Sequence, residues 1–74
     1  MKLVYDSAPG PGAKVAIGDR VIDFRGDEWH VTGWEEPQHA GSTGRVYVRG
    51  QAGPDGIESH REFFPSVFDC KFVD

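Results

Sequence analysis

Apolar and polar residues alternate along most of this chain with a period of two, and Gly and Pro break the alternation every few positions. No helical spacing is sustained and no segment repeats. The pattern therefore predicts an all-β protein of about five to six short antiparallel strands. Lys2–Tyr5 (KLVY) is expected to be the first strand, followed by a loop over residues 6–14, DSAPGPGAK. That loop lacks the glycine spacing of a phosphate loop, and Val15 stands after Lys14 where a Ser or Thr is needed.

The most informative stretch is DRVIDFRGDEWHVTGW, residues 19–34. Gly26-Asp27 suits a two-residue hairpin turn, since Gly supplies the positive φ that a type II′ turn requires first. This choice sets Arg25 against Glu28, Phe24 against Trp29, Asp23 against His30 and Ile22 against Val31. Side chains alternate between faces along a strand, so Ile22, Phe24, Trp29 and Val31 are expected to share the core face. Gly33 then interrupts the strand. Without a bulge, Trp34 lies on the outer face with His30 and Thr32; with a bulge at Gly33, it turns inward.

After a loop over residues 35–43, GRVYVRG (44–50) alternates cleanly. Val46 and Val48 face one way, and Arg45, Tyr47 and Arg49 the other. QAGPDG (51–56) reads as a turn-rich loop and IESHREFF (57–64) as a strand ended by Pro65. PSVF is expected to form one 3₁₀ turn and CKFV the final strand. Phe63 and Phe64 point to opposite sides of a strand, so unless Pro65 ends the strand early, one should enter the core and the other be exposed or line a groove. The expected core is Leu3, Ile22, Phe24, Trp29, Val31, Val46, Val48 and one or both of Phe63 and Phe64. Short strands joined by Gly/Pro loops fit a small barrel that covers its own edges.

The order of LVYDS, GDRV, GDEWHV and FFPSVF resembles that of SH3-like barrels. The resemblance implies a single SH3-like domain over residues 1–74, with Pro65 and Phe68 at the rim of a groove. Phe68 stands where SH3 domains place a ligand-binding Tyr. Separately, DFRGDEW, GSTGRVYVR and EFFPSVF together resemble small proteins of phages that infect actinobacteria. That resemblance implies an accessory protein that binds a host factor, and it brings no catalytic residues.

Composition narrows the functions. With 74 residues the chain forms one domain with a small core. Ten Gly and five Pro exclude a coiled coil. Cys70 is the only cysteine, so no internal disulfide forms, and a small buried hydrophobe is its expected role. No run reaches the ~18 apolar residues of a membrane span, and the N-terminal stretch has no apolar signal core, so a cytoplasmic protein is expected. The net charge of −4 disfavours generic nucleic-acid binding. The acidic residues alternate with Arg20 and Arg25, as on a solvated face, instead of forming the dense carboxylate array of a nucleic-acid mimic.

Candidate chemistry is sparse. His30, His39 and His60 have no short ligand spacing, so no metal and no cofactor are expected. Ser42, Thr43, Ser59 and Ser66 fit no nucleophile motif, and no enzyme activity is expected. Arg25-Gly26-Asp27 matches an adhesion tripeptide but is better read as the hairpin turn. Arg45, Tyr47 and Arg49 on one face, with Trp34, carry more information, because Trp, Tyr and Arg are common anchors of protein interfaces. The expected function is a non-catalytic module that binds a protein partner through Trp34, Arg45, Tyr47, Arg49, Pro65 and Phe68. The alternative is nucleic-acid binding by the same Arg/Tyr face. Self-association through an edge strand is a third possibility.

Overall fold

A computed structural model describes residues 1–7, 10–39, 41–51 and 56–74. Residues 52–55 of the expected QAGPDG turn, and the Ala-Pro portion of the first loop, lie outside that set. The described chain is all-β. Its elements are β1 (Lys2–Tyr5), β2 (Arg20–Ile22), β3 (Glu28–Glu35), β4 (Arg45–Gly50), β5 (Ser59–Phe63), a 3₁₀ turn (Pro65–Phe68) and β6 (Cys70–Val73). They form two antiparallel sheets, β1-β6 and the meander β2-β3-β4-β5. The sheets are not closed into one continuous ladder. Among the described residues no helix is long and apolar enough to cross a membrane.

Residues 12–15 extend the smaller sheet. Tyr5 N–H donates to the Ala13 carbonyl at 2.8 Å, and Val15 N–H donates to the Leu3 carbonyl at 2.9 Å. The chain then crosses to the larger sheet, where Val31 N–H donates to the Asp19 carbonyl at 2.9 Å. The Tyr5 hydroxyl fixes this crossing by donating to Asp19 Oδ2 at 2.7 Å. Burial, and then the hydrogen bond to that carboxylate, push the Tyr5 pKa well above its ordinary value.

The β2-β3 hairpin differs from the expected one. Val21 pairs with Trp29 and Ile22 with Glu28, a shift of three residues. Phe24, Arg25 and Gly26 form a three-residue loop. Gly26 N–H donates to the Asp23 carbonyl at 3.0 Å, and Gly26 takes φ +87°. Asp at the first position and Gly at the fourth favour a type I turn, and a left-handed residue next completes a three-residue hairpin. Gly26 thus carries the positive φ that its sequence position predicts, but in a three-residue loop instead of a two-residue turn. An odd shift exchanges the two faces. Val21 is buried, whereas Ile22 is 43% and Phe24 73% exposed. Ile22 and Phe24 are thus not core residues, and neither the Arg25/Glu28 nor the Asp23/His30 pairing forms. Arg20 takes Glu28 as its ion-pair partner instead.

The observed register is held by Asp23, which is buried. Its Oδ1 accepts from Arg25 N–H at 2.8 Å and Asp27 N–H at 3.0 Å. Its Oδ2 accepts from the indole Nε1 of buried Trp29 at 3.0 Å. Burial alone would raise the carboxyl pKa. The hydrogen bonds from Trp29, Asp27 and Arg25 outweigh it and leave the pKa below the usual carboxylate value.

The core lies between the sheets and joins Leu3, Tyr5, Val15, Val21, Trp29, Val31, Val46, Val48, Phe68 and Cys70. Phe63 packs edge-on between Trp29 (centroids 5.7 Å apart) and Phe68 (5.2 Å). Phe64 is 51% exposed, so one Phe enters and the other stays out, as the alternation requires. Two glycines permit close packing. A Cβ on Gly50 would lie 2.9 Å from the Trp29 ring. A Cβ on Gly44, at φ +72°, would lie 2.5 Å from the Glu35 carbonyl and 2.7 Å from the Phe72 ring.

Asp23→Ala should destabilise the domain by about 2–3 kcal/mol, because it strands the buried Trp29 donor and two turn amides. Ile22→Thr should change stability by no more than about 0.5 kcal/mol. Urea denaturation of the variants measures both. A depressed folded-state pKa means that the Asp23 contribution is complete above the unfolded-state value of about 4 and is lost as pH falls through the folded-state value. Denaturation midpoints should therefore drop between neutral and acidic pH, and Asp23→Asn should remove part of that drop.

Candidate functional site

Strand β4 runs through the middle of the larger sheet, and its alternation separates two environments. Val46 and Val48 are buried. Arg45, Tyr47 and Arg49 project from the opposite face. Register places Glu35 beside Arg45, Gly33 beside Tyr47 and His30 beside Arg49 on the β3 side. On the β5 side, Glu62 lies beside Tyr47 and His60 beside Arg49. One cross-strand row thus reads Arg20, His30, Arg49, His60 across four strands.

The Tyr47 ring covers Gly33, whose Cβ, if present, would lie 3.8 Å from Cδ2. Its hydroxyl donates to Glu35 Oε2 at 2.7 Å. That bond, and then burial, raise the Tyr47 pKa above its ordinary value. Arg45 lies over the exposed Phe64 ring, 4.4 Å from the centroid, with Nε 3.9 Å from Glu62. Arg49 reaches Glu58 at 3.6 Å. Arg45 and Arg49 therefore each have a carboxylate partner, and the face is close to neutral overall.

Trp34 does not join this group. The register shifts by one residue between Val31 and Gly33, so that Trp34 pairs with Val46. The bulge turns Trp34 to the core side, where it is half-buried and packs against the core cluster. The inward alternative of the sequence reading is the one realised. Tyr47 also stays half-buried, on the other side of the sheet.

Of the C-terminal pair, Phe68 is 6% exposed and belongs to the core. It forms no groove rim. Pro65 is also buried, yet it lines a groove of about 610 Å³ together with Pro37, Thr43 and Phe72. The alternation predicts one exposed Phe, but the sequence does not join Phe64 to the Arg45 face. Phe64 lies just outside β5, in line with Arg45, a placement that follows from the pairing of Val46 with Phe63. Asp69 takes φ +57° at the end of the 3₁₀ turn and accepts a hydrogen bond from the Ser7 hydroxyl.

Cys70 is buried, with Sγ 3.4 Å from the Phe68 carbonyl oxygen. Burial, and then the carboxylates of Asp69, Asp6 and Asp19, push its thiol pKa up to about 12. His30 and His60 flank Arg49, whereas His39 lies in the β3-β4 loop. Among the described residues no cluster of three or more His, Cys, Asp or Glu is placed to hold a metal. The chain matches no protein-family model, no curated protein and no solved structure.

A thiolate disfavoured to this degree should leave Cys70 nearly unreactive toward a disulfide reagent at neutral pH in the native protein. The same thiol should react at the rate of a model thiol in denaturant. Absorbance-monitored titration distinguishes the two states.

Proposed function

We propose that this protein is a non-catalytic interaction module that binds a protein partner through the outer face of β4. The observation that carries the reading is the stack of Arg45 on the exposed Phe64 ring beside Tyr47. These side chains are not part of the core cluster, and arginine and aromatic residues anchor protein interfaces more often than their abundance suggests. The carboxylates of Glu62 and Glu58 beside Arg45 and Arg49 favour a protein partner over a phosphate backbone, which needs uncompensated cations.

Trp34 joins this reading only as a support behind the sheet, and Pro65 and Phe68 stand apart from it. The architecture we propose is SH3-like. The pairing of the first strand with the last, the meander between them and the 3₁₀ turn before the final strand all support it. The resemblance to small phage proteins points to a host protein as the partner.

Affinity capture from host extract tests the reading. Tyr47→Ala and Arg45→Glu should each weaken capture by about 2 kcal/mol, the scale of an interface anchor. Tyr47→Ala should also lower stability by about 1 kcal/mol, because its ring covers Gly33, so capture is compared at a temperature at which every variant is folded. Equal capture by wild type and both variants would remove the β4 face from the proposal. Salt-sensitive binding to single-stranded DNA, lost on Arg49→Ala, would favour the nucleic-acid alternative.

A further inference from the structure

A second surface, separate from the β4 face, lies along the outer edge of β2. In an antiparallel ladder, successive residues direct their backbone groups alternately toward the paired strand and away from it. Asp23 N–H donates to the Asp27 carbonyl at 3.0 Å, and Val31 N–H donates to the Asp19 carbonyl at 2.9 Å. Asp19, Val21 and Asp23 therefore direct their backbone groups to β3. Arg20 and Ile22 direct theirs outward. Among the described residues no strand pairs with that edge.

The side chains along this edge are apolar and basic. Six large hydrophobic side chains are exposed among the described residues, and three of them belong to this stretch. Ile17 sits on the turn that enters β2, Ile22 on the strand and Phe24 in the loop that leaves it. Arg20 is paired with Glu28. Arg25 forms no ion pair among the described residues; its guanidinium lies over the Phe24 ring, 5.5 Å from the centroid. Both acidic residues of the stretch are engaged elsewhere. Asp23 is buried with its three donors. Asp19 is half-buried, and its Oδ2 accepts from the Tyr5 hydroxyl and the Ala16 N–H. No exposed residue from Ala16 to Gly26 is acidic, although the chain carries 12 acidic against 8 basic residues.

These features select the occupant. The outward backbone groups require a strand, because a lipid surface would bury them unpaired. The unpaired Arg25 selects acidic side chains. A second copy would bring the same basic side chains to the edge and no exposed carboxylate from the same stretch, so like charges would meet. We propose that the outer edge of β2 accepts an extended segment of another protein, carrying apolar and acidic residues, which adds to the larger sheet as a fifth strand. The segment exchanges backbone hydrogen bonds with Arg20 and Ile22. Its apolar side chains pack on Ile22 and Phe24, and its carboxylates face Arg25. The site shares no residue with the β4 face, so failure of either leaves the other standing.

Amide hydrogen exchange on the intact chain provides the test, with a short blocked peptide that alternates leucine with glutamate. The Arg20 and Ile22 amides should exchange fast in the free protein and slow in excess peptide. Methylation of the peptide's backbone nitrogens should abolish that protection, because a strand pairs through those donors. Lysine in place of glutamate in the peptide should weaken binding about tenfold, and so should Arg25→Gln or Phe24→Ser in the protein. Both replaced side chains are exposed, so the variants should remain folded, which urea denaturation checks. Unchanged exchange at Arg20 and Ile22 in excess peptide would overturn the proposal. So would equal protection by the lysine peptide or by the methylated one. Protection that grows with protein concentration in the absence of peptide would assign the edge to a second copy and also overturn it. Binding to phosphatidylserine vesicles, with no protection by the peptide, would do the same in favour of a lipid surface.

Discussion

A buried carboxylate accepting three hydrogen bonds determines which face of this domain is inside. Asp23 gathers two turn amides and the Trp29 indole. Taking a carboxylate out of water is costly, so the arrangement is stable only while all three donors are present. Those donors require a three-residue loop, and that loop length sets the pairing of β2 with β3. The pairing buries Val21 and leaves Ile22 outside. Trp29, held at one end by Asp23, then supplies the flat surface against which Gly50 and Phe63 pack. The register of the hairpin and the packing of the sheet edge therefore rest on one residue.

The same logic governs the rest of the core. Small domains bury a limited share of their surface, so each large side chain must contact several elements. Phe68 and Phe63 do so from the C-terminal segment, and Tyr5 does so by joining β1 to the crossing at Asp19. The segment FFPSVF serves the interior with Phe63, Pro65, Val67 and Phe68 and exposes Phe64 and Ser66. Pro65 stops the strand early enough for the 3₁₀ turn to bring Phe68 back under the sheet.

Much of this was legible in the alternation of residues. The bounds of β1, the 3₁₀ turn and β6, and the inward direction of Val46 and Val48, follow from period and from the position of Pro65. The hairpin register did not follow, because charge pairing across a strand is weak and a buried acceptor for an indole is strong. A pattern of opposite charges favoured one alignment, while the less visible need of Asp23 and Trp29 selected another. The sequence allows Trp34 two orientations for a related reason: whether a Gly bulges depends on the partner strand, which local sequence does not specify. The Arg45, Tyr47 and Arg49 face was readable because no bulge interrupts β4.

That bulge has a consequence for how the chain can vary. Trp29 and Trp34 are five residues apart, an odd interval that would place them on opposite sides of a regular strand. One extra residue near Thr32 restores them to the same side. The parity of β3 is thus stored in a single position. Loss or gain of one residue there would exchange inside for outside throughout the second half of the strand, whereas a change of two would preserve the assignment. In this fold, length variation in β3 is constrained by evenness more than by size.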